Sequence, residues 1–257
     1  MTEAVSYRLD GQVGIVTGGA GAIGRVLATG LAEAGADIVV GDLVSQHAGG
    51  DETARLVREQ GRQALVVDVD VTDVPTIEAL VQETVAAFGK VDWMVNCAGI
   101  NIRKPVLEYT EGEWDRLVDV NLKGLFFCTQ IVARQMATQG HGKIVNIASQ
   151  LAVVAMPERS IYAITKAGVA HMAKAFAVEL APMGISVNAV GPTFVSTPLT
   201  TAMFEDPAFV NEYLPRIPAG RFGEPSDVLG AVQFLLSPAA DLINGQLLVV
   251  DGGYTSW

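Results

Sequence analysis

The stretch Val13-Gly14-Ile15-Val16-Thr17-Gly18-Gly19-Ala20-Gly21-Ala22-Ile23-Gly24 decides how the rest of the chain is read. It opens with a short run of β-branched residues, the mark of a buried strand. A glycine-rich turn follows, and then helical spacing over residues 23–34, closed by Gly35. A strand that enters a helix through such a turn leaves backbone N–H groups free at the helix N-terminus, where negative charge is favoured.

The same alternation runs on from there. Apolar runs at 13–17, 37–40, 63–67, 91–96, 143–148, 185–190 and 246–250 predict seven strands, and amphipathic spacing predicts helices at 23–34, 51–60, 74–88, 113–138, 161–181 and 226–236. Val- and Ile-rich strands separated by helices pair in parallel with both faces covered. The expected fold is therefore α/β: a single doubly wound Rossmann domain over residues 1–257, with a seven-stranded parallel sheet and helices on both faces. In such sheets, ligands bind at the carboxyl ends of the strands. The segment 193–224 breaks the rhythm. It is rich in proline and threonine, too long for an ordinary connection, and follows the sixth strand at that same edge. It is expected to be a substrate lid.

At 257 residues the chain is long enough for one large core, and with half its residues hydrophobic and 18% charged it is globular. The formal net charge of -11 argues against nucleic acid and anionic membranes as partners. Without a membrane-length apolar run or a basic-then-apolar leader, the expected compartment is the cytoplasm. Cys97 and Cys128 lack CxxC spacing and are expected to be reduced core residues, with no metal site.

Asp42 stands at the end of the second strand, eighteen positions after Gly24. In that context the glycine turn is a dinucleotide cradle: Gly18, Gly21, Ala22, Ile23 and Gly24 approach the pyrophosphate, and the Asp42 carboxylate accepts from the adenosine ribose hydroxyls. A carboxylate there repels a 2′-phosphate. No Lys or Arg lies between Gly18 and Gly24 or from Asp42 to Arg55, so NAD is the expected cofactor. Ser149 follows the fifth strand, and Tyr162 and Lys166 lie four apart on one helix face. A phenol beside an ammonium gives up its proton more readily, so this trio can protonate or deprotonate an alcohol oxygen.

Taken in order, Thr17–Gly24, Asp70-Val71-Thr72-Asp73, Asn96-Cys97-Ala98-Gly99, Asn121-Leu122-Lys123-Gly124, Ser149 and the Tyr162/Lys166 pair resemble the short-chain dehydrogenase/reductase family over nearly the whole chain. The resemblance implies a catalytic set of Asn121, Ser149, Tyr162 and Lys166. It places Asp70 and Val71 at the adenine, and Asn96, Ala98, Gly99, Pro192, Thr193 and Val195 along the cofactor, with Tyr162 and Lys166 also on it. Tyr162 would be the general acid or base, its pKa lowered by Lys166 and by the oxidised nicotinamide. Ser149 would hold the substrate oxygen, and Asn121 a water linking Lys166 to solvent. Two departures stand out: Ala22 replaces the usual middle glycine, where a helical φ is expected, and Thr193 follows Pro192 where glycine is common.

The substrate is expected to be a sugar acid or sugar alcohol. The segment 216–223 and the tail 250–254 resemble gluconate 5-dehydrogenases and 2-dehydro-3-deoxy-gluconate 5-dehydrogenases, with Arg103 as a carboxylate clamp and Arg159 also near the pocket mouth. Alternatives are a 3-oxoacyl carrier-protein reductase, a dehydrogenase of a bulkier apolar alcohol given Phe194, Met203, Phe204 and Phe209, and a non-catalytic nucleotide-binding scaffold. The family resemblance implies a homotetramer through the two long helices. The Met172, Phe176 and Leu180 stripe is either core or interface, and the tail from Tyr254 to Trp257 either packs at an interface or closes the sheet edge.

Overall fold

The computed structural model describes residues 5–198 and 200–256. Seven strands, β1 (Val13–Thr17), β2 (Asp37–Asp42), β3 (Ala64–Asp68), β4 (Trp93–Asn96), β5 (Gly142–Ile147), β6 (Ile185–Pro192) and β7 (Leu247–Val250), form one sheet in the order β3-β2-β1-β4-β5-β6-β7. Every pairing is parallel. Alternate residues along each strand enter different cores. Ile15, Val39, Met94, Ile144 and Val187 pack against α3 (Val74–Phe88), α5 (Leu125–Gln139) and α6 (Ser160–Leu180). Val16, Ile38, Val40, Val95, Val145 and Val190 pack on the other face against α1 (Ala22–Glu33), α2 (His47–Glu59) and α9 (Pro225–Leu236). Both faces are thus dry, as the apolar strands required.

Register brings the carboxyl ends level. Thr17 pairs with Gly41 and Asn96, and Asn96 pairs with Asn146. Gly14 stands opposite Trp93, and a Cβ on Gly14 would lie 2.2 Å from the indole, so the missing side chain is what admits a fully buried tryptophan at the start of β4. The Thr17 hydroxyl accepts from the N–H of Cys97 at 3.2 Å and of Ala98 at 3.4 Å, tying the exit of β1 to the exit of β4.

Two predicted elements differ in detail. The helix expected at 113–138 is three pieces: α4 (Glu111–Val118), a wide π-turn over Asp119–Gly124, and α5. The wide turn lets Val71 pack against it at Gly124, where a Cβ would meet the Val71 carbonyl oxygen at 2.5 Å. π-turns inside helices recur at functional sites. The described part of the segment 193–224 has its own core and carries α7 (Thr201–Phe204) and α8 (Pro207–Tyr213). Phe194 meets Phe209, Tyr213, Phe222 and Tyr254 with ring centroids 5.2 to 6.1 Å apart, and Phe204 stacks on Phe222 at 4.5 Å. Tyr254 therefore closes this cluster beside the sheet edge; Trp257 lies outside the described residues. In the α6 stripe, Met172 belongs to the core, while Phe176 and Leu180 line an open groove. Among the described residues, no helix is long and apolar enough to cross a membrane.

Candidate active site

The glycine turn departs from β1 with Gly18 at φ +68°, where a Cβ would also come within 2.8 Å of the Ala98 nitrogen. Gly24 is held as tightly, since its Cβ would lie 2.2 Å from the Gly18 carbonyl oxygen. Ala22, by contrast, is the first residue of α1 and takes no positive φ, so its methyl is accommodated as the sequence reading expected. Gly21 caps this helix without a side chain, leaving the first-turn N–H groups free.

A cavity of ≈ 840 Å³ opens over this turn. Gly18, Gly21, Ala22, Ile23, Gly24, Asp42, Asp70, Val71, Ala98 and Gly99 line it, all singled out from sequence. So do Gln46, Ile100, Arg116, Asp119 and Thr197, which were not, and Cys97, expected in the core, is on this wall and only partly buried. These come from loops and a helix face that meet only in the fold. Asp42 accepts from the Ala20 N–H at 2.9 Å and the Leu43 N–H at 2.8 Å, which fixes its carboxylate against the turn while leaving lone pairs free. Asp70 accepts from the N–H and hydroxyl of Thr72 at 2.9 and 2.7 Å, shaping the rim beside Val71. The bare helix start, the glycine cradle and a cavity of this size fit a dinucleotide.

Other residues expected on the cofactor are placed differently. The Asn96 amide is buried and donates to Asn146 at 2.9 Å and Thr129 at 3.2 Å, bracing β4 on β5 and α5. Pro192 ends β6, and the Thr193 N–H donates to Val250 at 3.0 Å. The Thr193 hydroxyl is sealed in the protein without a partner. Val195 is buried and bridges to Gly223. Neither it nor Pro192 nor Thr193 is on the wall of the large cavity.

Lys166 and Ser149 are buried, and Tyr162 is half-buried. The Lys166 Nζ donates to the Ile147 carbonyl at 2.8 Å and lies 5.6 Å from the centroid of the Tyr162 ring. The Ser149 hydroxyl accepts from the Leu151 N–H at 3.1 Å, which aims it from the end of β5. Burial dominates the electrostatics: it pushes the Tyr162 phenol above its ordinary value, against the opposing pull of Ser149 and of the Arg159 cation, and lowers Lys166 to about 8. The expectation of a depressed phenol is thus reversed in the chain by itself. Cys97, also desolvated, is pushed up to about 12 and is no thiolate; Cys97 and Cys128 are both free.

Asn121 is fully buried in the π-turn and grips the backbone of Ile100, donating to its carbonyl and accepting from its N–H, both at 2.8 Å. A Cβ on Gly99 would sit 3.3 Å from Asn121 Oδ1 and 3.6 Å from Lys166 Nζ, so the glycine keeps a gap between the two. Arg103, read as a carboxylate clamp, is paired with Glu158 at 3.5 Å and is about half exposed. Arg159, read as a mouth residue with ordinary surface charge as the alternative, is only 5% exposed.

Known proteins agree with this geometry. A family model described as enoyl-(acyl carrier protein) reductase matches residues 18–255. The chain is 41% identical to 2-dehydro-3-deoxy-D-gluconate 5-dehydrogenase of Dickeya dadantii over 97% of both chains. It is 40% identical to cis-4-hydroxycyclohexanecarboxylate dehydrogenase of Sinomonas cyclohexanicum over 100% of both. Among solved structures, a gluconate 5-dehydrogenase from Burkholderia cenocepacia in complex with NADP and tartrate superposes with a TM-score of 0.93 at 40% identity, covering 98% of each chain. The ordered motifs, the parallel seven-stranded sheet and these full-length likenesses agree: the chain belongs to the short-chain dehydrogenase/reductase family and is an oxidoreductase acting on CH-OH groups.

Proposed function

We propose that this protein is an NAD-preferring dehydrogenase that oxidises a secondary alcohol, or reduces the matching ketone, on a sugar acid or sugar alcohol. The observation that carries the reading is that Lys166 faces the Tyr162 ring and lies against Gly99, a wall residue of the same cavity that the Asp42-braced glycine turn lines. Relatives named for a deoxygluconate and for a hydroxycyclohexanecarboxylate support the substrate class, since both names describe an oxygenated carbon on a molecule that also bears a carboxylate.

A bound nicotinamide supplies the hydride acceptor or donor. Gly18–Gly24 would hold the pyrophosphate of the dinucleotide that carries it, Asp42 the adenosine ribose, and Asp70 with Val71 the adenine. Ser149 directs the substrate oxygen toward Tyr162. For carbonyl reduction the phenol arrives protonated and donates its proton to that oxygen; for oxidation it must first lose it. Lys166 stabilises the phenolate that results and hands protons through the gap beside Gly99 and Asn121. The segment 193–224 closes over the substrate as a lid, with Thr197 already on the cavity wall.

Asp42 supports NAD. Its carboxylate is fixed at the end of β2, where a 2′-phosphate would meet negative charge. Two alternatives fit less well. A 3-oxoacyl carrier-protein reductase must dock an acidic carrier onto a chain of net charge -11. A bulky apolar alcohol needs exposed aromatic surface, yet Phe194, Phe204, Phe209 and Phe222 are spent on one another.

The assembly we favour is a homotetramer through α5 and α6. A ≈ 470 Å³ groove between them is lined by Phe126, Ala133, Phe176, Leu180 and Met183, with Arg134 and Glu179 on the same rim. Opposite charges on one patch make it self-complementary about a two-fold axis.

Tyr162→Phe is expected to bind NAD normally and to turn over at least about 100-fold more slowly; near-normal turnover would remove the phenol from the mechanism. Asp42→Ala is expected to lower the ratio of NAD to NADP efficiency by about 10-fold or more, the scale of charge-assisted hydrogen bonds. An unchanged ratio in steady-state kinetics would deny it the ribose. Sedimentation of the wild-type chain is expected to give four copies and that of Phe126→Glu fewer; a monomeric wild type would exclude the interface.

A further inference from the structure

Four charged side chains among the described residues are less than a tenth exposed, and three have partners. Asp37 pairs with Arg62 at 2.9 Å, Asp251 accepts from Gly253 and Thr255, and Lys166 donates to Ile147. Arg159, at 5% exposure, is the exception, because its guanidinium meets no acceptor among the described residues. Its nitrogens are not among the described unpartnered atoms sealed from solvent, so they keep a narrow contact with it. A guanidinium stays charged at any pH a protein survives, so it cannot escape by losing a proton. A buried, unpaired cation costs folding free energy and attracts an anion.

The local fold keeps Arg159 unpaired. Glu158, its neighbour, is the one non-glycine residue with positive φ among the described residues, at 61°. Its carbonyl is pinned by the Lys104 N–H at 3.0 Å and the Tyr109 hydroxyl at 3.2 Å, and its carboxylate is turned outward to Arg103. Strained backbone of this kind collects at functional sites. Arg159 then stands at the N-terminus of α6, its carbonyl accepting from the Ala163 N–H at 2.8 Å, one turn before Tyr162. Its positive charge opposes the upward push of burial on the phenols of both Tyr162 and Tyr213. It is not on the wall of the dinucleotide cavity.

We infer that Arg159 is the anchor for a substrate carboxylate, so that the site selects a hydroxy acid over the neutral polyol of the same skeleton, and that Arg103 instead holds Glu158 out of its way. This rests on the oxidoreductase reading above. A planar guanidinium takes a carboxylate through two parallel hydrogen bonds, which would fix which carbinol of the chain reaches Tyr162. One guanidinium suits a singly charged carboxylate better than a phosphate ester, which usually draws several cations.

The test compares D-gluconate with D-glucitol, which differ only at C1, using the wild type, Arg159→Met, Arg159→Lys and Arg103→Ala with saturating NAD. Wild type is expected to favour gluconate in kcat/KM by about 10- to 100-fold, the range of a charge-assisted pair. Arg159→Met should bring the ratio to within about threefold, chiefly through KM, and Arg159→Lys should keep part of it. Arg103→Ala should affect both substrates alike. NADH binding by fluorescence shows that each variant is folded, and if Arg159→Met does not fold, the partial loss in Arg159→Lys decides. A gluconate preference that survives loss of the guanidinium, or that vanishes with Arg103, overturns the inference. Wild type that turns over glucitol as well as gluconate overturns it while leaving the dehydrogenase reading intact. No turnover of either substrate, or of any sugar acid or polyol, removes both.

Discussion

A lysine ammonium locked inside the protein against a phenol is the constraint on which the rest of the site depends. Lys166 is held on the Ile147 carbonyl and faces the Tyr162 ring, with both groups on the first turns of α6. The neighbouring elements hold this pair in register. β5 delivers the carbonyl and Ser149; the π-turn delivers Asn121, which ties down the loop after β4; and Gly99 leaves the space between. The pair is costly as it stands, because burial opposes the charge of each member and drives the two pKa values apart, the phenol up and the lysine down to about 8. A group that brings positive charge to the phenol would tip the proton off it.

The same logic of buried charge separates two ends of one active site. At one end the charge-seeking groups are backbone N–H groups at the start of α1, with the Asp42 carboxylate beside them. At the other end the seeker is Arg159, unsatisfied by its own neighbours because Glu158 is twisted outward. The aromatic core of segment 193–224 gives the second end a rigid wall built from rings that hold each other.

Most of the architecture was legible because periodicity and glycine placement carry it. Predicted strands and helices fall within a few residues of their observed limits, and α3 matches its predicted span. The cradle was legible for the same reason: Gly18 and Gly24 are dictated by a turn that no side chain could fit. What escaped was fixed by contacts between distant segments. The π-turn is written in ordinary helix-forming residues and so read as continuous helix, its one local sign being Gly124. The Asn96 amide nitrogen donates to Asn146 and Thr129, partners that the register alone brings near. Arg116, Asp119 and Thr197 reach the cavity from α4, the π-turn and the long segment, with no motif to announce them. Arg159 shows the limit most sharply. A lone arginine beside a glutamate reads as surface charge, because arginine is so rarely buried, and only the positive φ at Glu158 shows why this one is not.

The account's central claim is that Tyr162 is a weak acid in the bare protein and a stronger one with NAD bound. An ultraviolet difference titration of phenolate, with Tyr162→Phe subtracted to isolate that residue, reads it directly. The account predicts a midpoint above the ordinary tyrosine value of about 10 without cofactor, falling by at least about one pH unit when the protein is saturated with NAD. A bare-protein midpoint below that ordinary value, or one that does not move on saturation, would contradict it.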